Sequence, residues 1–142
     1  MSYHTGDGIM NRNEWTFSYS GGKLAEAALK KMQYRYSREE FWKNKKEEIM
    51  DEIRKTGLEI NESIADQFSN SSYGSGPTLT VNAELQKKMK ETVAKIQEHN
   101  YTARQYSGWL QVMRVNKEMS YALTIDDWLF FFGDEIVKGD NE

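Results

Sequence analysis

Two stretches of roughly thirty residues place apolar side chains at steps of three and four, with a polar Ser/Gly segment between them. That spacing keeps one face of a helix apolar and is the strongest constraint on what this chain can fold into. The first stripe runs Phe41/Trp42, Ile49, Ile53, Ile60, Ile64 and Phe68. The second runs Leu85, Met89, Val93, Ile96, Ala103, Tyr106 and Leu110, reaching Met113. The segment between them holds the only proline, Pro77, and residues 69–81 read as a loop. Two helices, over 37–68 and 83–113, are therefore expected to pack as a long antiparallel hairpin. Each would be about 45 Å long at helical rise.

Local signals mark the ends. Ser37 with Glu40 three residues on has the form of a capping box, which places the start of the first long helix at 37. Asn82 suits the N-cap of the second. Gly57 interrupts the first stripe. An interior glycine costs about 1 kcal/mol relative to Ala, but the phase from Ile53 to Ile60 favours one continuous helix. Gly108 offers a second stopping point. If the helix ended there, Trp109, Gln111, Met113 and Val115 would alternate as a strand, with Tyr121 to Leu123 returning beside them. The helical reading is preferred.

The flanks add smaller elements. Residues 1–14 show no periodicity and read as irregular. Trp15-Thr16-Phe17-Ser18-Tyr19-Ser20 alternates strictly, the period of a half-buried strand over 15–20. Gly21-Gly22 stops it, and Leu24, Ala27, Ala28, Leu29 and Met32 then predict a short helix over 23–34. The tetrapeptide Thr78 to Val81 could form a short strand. Thr124 caps a last helix over 125–132, which carries Trp128-Leu129-Phe130-Phe131-Phe132 and stops at Gly133. Residues 134–142 form an acidic tail. The expected fold is mostly α with minor β content, in one domain over 1–142.

Composition limits function. There is no cysteine and there are only two histidines, His4 and His99, which disfavours a zinc site or a disulfide framework. Both histidines are assigned surface or capping roles. No run nears the ~20 apolar residues of a membrane span, and the N-terminus lacks the basic-then-apolar form of a signal peptide. A cytoplasmic location is the expectation. Net charge is −3. Residues 37–69 carry six basic and nine acidic side chains, and 70–116 carry six and three, so the two long segments are oppositely biased. That bias is too weak for a nucleic-acid footprint.

Candidate chemistry is sparse. Carboxylates crowd the first long segment, among them Glu39, Glu40, Glu47, Glu48, Asp51, Glu52, Glu59 and Glu62. Carboxylates three or four apart on facing helices can hold Mg²⁺ for phosphate chemistry. Helical nucleotide pyrophosphatases use a Glu-x-x-Glu pair followed by Glu-x-x-Asp on the next helix; Glu59/Glu62 matches the first half, and the second helix lacks the other. Interleaved Lys and Arg favour a solvated face instead. Ser20-Gly21-Gly22-Lys23 could hold an anion on free backbone N–H groups at a helix start, through Gly22 and Lys23. Arg104, Tyr106, Trp109 and Arg114 could stack a base or anchor a protein partner.

Five consecutive large apolar residues surround a helix with apolar groups, so Trp128, Leu129, Phe130, Phe131 and Phe132 form the candidate oligomer interface. The leading expectation is a non-catalytic, homo-oligomeric binding protein without cofactor or metal, of accessory or phage-type inhibitor kind. It would capture a protein or a small anionic, nucleotide-like ligand. The alternative is a Mg²⁺-dependent phosphohydrolase.

Overall fold

The computed structural model describes residues 16–70 and 83–134, with only the backbone described at 68–70. It is mostly helical with a small antiparallel sheet, as the patterning predicts. In chain order the elements are β1 (Phe17–Ser20), α1 (Gly21–Arg54), α2 (Glu62–Asn70), α3 (Ala83–Val115), β2 (Ser120–Leu123) and α4 (Ile125–Phe132). They fall into two compact units, one built from residues up to Gln33 and from Arg104 onward, the other from Tyr34–Ala103. The expected irregular segment 1–14, strand Thr78–Val81, cap Asn82 and most of the acidic tail lie outside the described residues.

The first unit is closed by strand pairing. β1 and β2 run antiparallel, with Phe17 opposite Leu123 and Ser20 opposite Ser120. Directly after β1 the chain turns into α1, and the turn packs on the segment before β2. Gly21 N–H donates to Met119 O at 2.8 Å and Gly22 N–H to Lys117 O at 2.9 Å. A Cβ on Gly21 would lie 2.3 Å from Asn116 O, so only glycine permits this approach. Leu24 and Ala28 of α1 then meet Tyr106, Leu110 and Met113 of α3, together with Leu123 and Phe131. Thr124 Oγ1 accepts from Asp127 N–H and caps α4, as expected. The Lys31 ammonium donates to Gly133 O, placing a cation on the carbonyl end of α4.

The preferred helical reading of the second long segment holds here, and its strand alternative falls. The returning strand pairs with β1, not with residues 109–115, because α3 stays helical to Val115. Gly108 does not end the helix, since its neighbours Tyr106, Leu110 and Met113 are all buried at helical spacing. Of the strand expected over 15–20, position 15 lies outside the described residues, Thr16 is not part of it, and β1 starts at Phe17.

In the second unit the breaks of the first long helix move. α1 continues through residues 35–36 without interruption, and Ser37 is not an N-cap. Its hydroxyl donates to Tyr34 O at 2.8 Å inside the helix. Nothing between Tyr34 and Ser37 breaks a helix, and Arg35, Glu39 and Trp42 carry the inward phase across the expected gap. The predicted continuity through Gly57 is wrong. Thr56 N–H and Gly57 N–H reach back three residues to Ile53 O and Arg54 O, and the Thr56 hydroxyl takes the same Ile53 carbonyl at 2.6 Å. Gly57 then adopts φ 93°, a left-handed conformation that favours glycine. Asn61 caps α2, accepting from Ile64 N–H at 2.9 Å. The reversal lays α2 over the helix pair. Ile49, Met50, Ile53, Ile60, Ala65, Met89 and Val93 form one closed cluster from α1, the turn, α2 and α3.

These two glycines predict different costs. Gly57→Ala should lose about 1–2 kcal/mol through strain at positive φ. Gly21→Ala should lose more, about 2–3 kcal/mol, because backbone must shift. Urea unfolding of the two variants checks this; wild-type stability in either would contradict the turn geometry.

Candidate functional site

The candidate residues on α3 do not form one patch. Five residues along a helix turn it by ~500°, so Arg104, Trp109 and Arg114 each stand about 140° from the next. Tyr106 points inward. It is 4 % exposed, its hydroxyl donates to Phe130 O at 2.6 Å, and its ring stacks on Phe130 at 4.3 Å. It is therefore a core contact, and Arg104 and Arg114 reach solvent on other edges of the helix.

The Gly-Gly-Lys turn is likewise engaged. Gly22 N–H holds Lys117 O, and Lys23 N–H donates to Ser20 Oγ at 3.2 Å. The amides that would grip an anion at this helix start already have acceptors. The aromatic run of α4 is largely covered by its own unit. Phe131 is buried, Trp128 Nε1 donates to Tyr19 Oη at 3.0 Å, and Phe132 packs on Tyr19 at 4.7 Å. Leu129 is the one member of the run left exposed.

Three carboxylates of α1, Glu39, Glu47 and Asp51, are paired with cations. Arg54 Nη1 donates to Glu47 at 2.9 Å and Asp51 at 2.6 Å, while Nη2 donates to Ile60 O. An open depression of about 460 Å³ beside this guanidinium, lined by Gly57, Leu58, Ile60 and Ile64, is thus bordered by an arginine with three acceptors in hand. Glu59 lies in the turn and Glu62 opens α2, so the Glu59/Glu62 pair does not share a helix. Glu62 and Asp66 instead hold the buried Lys46 ammonium at 2.6 and 3.1 Å. Among the described residues no three His, Asp or Glu side chains converge as a metal site.

The sequence reading missed a buried polar layer in the second unit. His99 is 0 % exposed, not a surface or capping residue. Its Nδ1 lies 3.1 Å from Arg35 Nη1. A guanidinium only donates, so Nδ1 accepts and the neutral ring carries its proton on Nε2. Beside it Glu39, 7 % exposed, accepts from Asn100 Nδ2 at 3.2 and 3.3 Å and pairs with Lys43. The signal was present: His99 continues the steps Ile96, His99, Ala103, Tyr106.

What α3 leaves in solvent is a different set. Trp109 is 47 % exposed, Val112 44 % and Val115 83 %. Successive steps of three drift only about 60° around the helix, so these three form one diagonal stripe. Gly108 lies within the same face, and a Cβ there would meet nothing within 4 Å. Arg104 stands about 20° from Val115 around the helix and Arg114 about 100° from it, so only Arg104 borders this face; the Trp109 ring meets Phe131 at 6.5 Å. No family model matches the chain, and no curated protein or solved structure matches it either. No helix among the described residues is long and apolar enough to cross a membrane.

Lys46 supplies a pH test. Burial pulls its pKa down, but hydrogen bonds and charge from Glu62 and Asp66 outweigh that, and the value is raised above the usual 10.5. The folded state therefore binds this proton more tightly than the unfolded chain. The resulting stability is complete below the ordinary lysine value and is lost as pH climbs through the folded one. Lys46→Met should cost about 1 kcal/mol at neutral pH, a modest figure because both carboxylates face solvent. The gap to wild type should narrow in strong alkali; a gap constant with pH in denaturant melts would contradict the pairing.

Proposed function

We propose that this chain is a non-catalytic protein-binding module that docks a partner on the exposed α3 face of Trp109, Val112 and Val115. The observation that carries this reading is Gly108. A glycine inside a helix costs about 1 kcal/mol relative to Ala, and nothing within the unit requires one there. A bare position amid exposed apolar side chains lets another backbone approach closely. Trp and Arg at such a face are the residue types that dominate protein-binding energy.

The other readings have less behind them. A nucleotide-like ligand would need the Gly22/Lys23 amides or a joint Arg104–Trp109–Arg114 patch. The first are hydrogen-bonded within the chain, and the second is spread around the helix. For a Mg²⁺-dependent phosphohydrolase, Glu47, Asp51 and Glu62 are already held by Arg54 and Lys46, and among the described residues no three acidic or His side chains converge. A module that binds without catalysis acts by occupying its partner, in the manner of an accessory or inhibitor protein.

Gly108→Leu separates fold from function. The new side chain enters open space and improves helix propensity, so stability should rise by about 0.5–1 kcal/mol. A photo-crosslinker at position 112 should capture a discrete partner on the wild-type background and lose it on the Gly108→Leu background. Equal capture by both, or a destabilised variant, would overturn the reading.

A further inference from the structure

The small sheet of the first unit has an open edge. Among the described residues β1 and β2 pair only with each other. The bond from Gly21 N–H to Met119 O continues their register one step past Ser20 opposite Ser120. Bonded pairs alternate along an antiparallel ladder, so Tyr19 with Tyr121 and Phe17 with Leu123 exchange the ladder bonds. The N–H and C=O groups of Ser120 and Ala122 therefore point away from β1, along the outer edge of β2. Both residues are exposed. Natural sheets blunt such an edge with charged side chains, proline or a bulge. β2 reads Ser-Tyr-Ala-Leu, without charge or proline, and its register with β1 is unbroken. The outer edge of β1 offers less, because Ser20 caps α1, its Oγ accepting from Lys23 N–H.

We infer that the outer edge of β2 takes up an extended segment of a partner protein, which adds a third strand to the sheet. The inference is independent of the α3 face. The chemistry of the edge specifies its occupant. Alternate residues that each offer N–H and C=O are matched by an extended backbone. A helix cannot match them, because its own backbone groups are bonded within it. Side chains select the segment further. Residues opposite one another in a sheet stand on the same face. Those facing Ser120 and Ala122 lie on the outer face, where Ser18 and Ser20 are also exposed. The residue facing Tyr121 lies on the inner face, beside the half-buried Tyr121 and Met119, whose sulfur is 4.0 Å from the Tyr121 hydroxyl. Met119 is 54 % exposed, so an apolar side chain added here covers it. The segment that fits is uncharged, with an apolar residue between two small or polar ones.

Proline placement tests the edge. Proline lacks an N–H and is tolerated where that N–H faces away from the ladder. Ala122→Pro should therefore melt close to the wild-type temperature, whereas Tyr121→Pro should melt clearly lower. An Ala122→Pro variant destabilised as much as Tyr121→Pro, or more, would overturn the inference, because the open groups would then lie on the wrong residues. A displayed library of random heptapeptides panned on the wild type should enrich uncharged sequences with apolar residues at alternate positions. Synthetic copies of the enriched peptides should slow amide hydrogen exchange at Ser120 and Ala122. They should also bind Ala122→Pro at least about tenfold more weakly, since the added strand loses a ladder bond and meets the proline ring. A library that yields no binder, or binders indifferent to Ala122→Pro, overturns the inference. Binders lost on Gly108→Leu and kept on Ala122→Pro belong to the α3 face: strand addition then fails while the binding role of that face stands. A wild-type dimer in sedimentation velocity that Ala122→Pro abolishes would assign the edge to β2 of a second copy and overturn a separate partner protein.

Discussion

The phase of α3 is the constraint on which the rest of the structure depends. One edge of that helix is buried from Met89 through Val93, His99, Ala103, Tyr106 and Leu110 to Met113. In the second unit the Arg35–His99 contact and the Glu39–Asn100 pair pin this edge against α1 through groups that tolerate little slippage. An apolar layer can be repacked by a shifted neighbour, whereas a displaced buried histidine would leave polar atoms of both residues without partners, at a cost of about 1–3 kcal/mol each. In the first unit the same edge is held by Tyr106, whose hydroxyl reaches Phe130 O while its ring stacks on the same residue. Once that edge is inward, Trp109, Val112 and Val115 can only face out.

Much of this was legible in the sequence, and the failures have physical causes. Apolar spacing located α3 to within two residues of each end and found α4 with its Thr124 cap. The breaks in α1 were misplaced because Ser37 has two uses. A serine followed three residues later by Glu resembles a cap, yet inside a helix its hydroxyl simply bonds the preceding turn at Tyr34. Gly57 was read through because the apolar phase survives it. The phase survives for a different reason: Ile60 belongs to the turn, and the reversal brings it back onto the same cluster. β2 was not committed to, since its partner β1 lies a hundred residues away and four residues carry no decisive period.

Candidate site residues fared according to how far their recognition depended on neighbours in space. Tyr106 and Trp109 are three apart in sequence, yet one closes the core and the other is half in solvent. Composition cannot separate them; helix phase can. The polar layer was missed for the converse reason: Glu39 was placed on a solvated face and His99 in a surface or capping role, each without the neighbour in space that buries it. In the second unit α2 folds over the helix pair and completes the apolar cluster. Surplus apolar surface is concentrated instead at the end of α3, beside a glycine that the fold does not require.

Because the chain contains no cysteine, single cysteines introduced along residues 106–115 can report this phase without background. Thiol-labelling rates on dilute, folded variants should be fast at positions 108, 109, 112 and 115 and slow at 106, 110 and 113. Alternation, with 109, 111, 113 and 115 fast together, would mean that this segment is a strand. Slow labelling at 109, 112 and 115 would mean that the face is covered within its own chain. Either result would contradict an α3 whose buried edge leaves an apolar face for a partner.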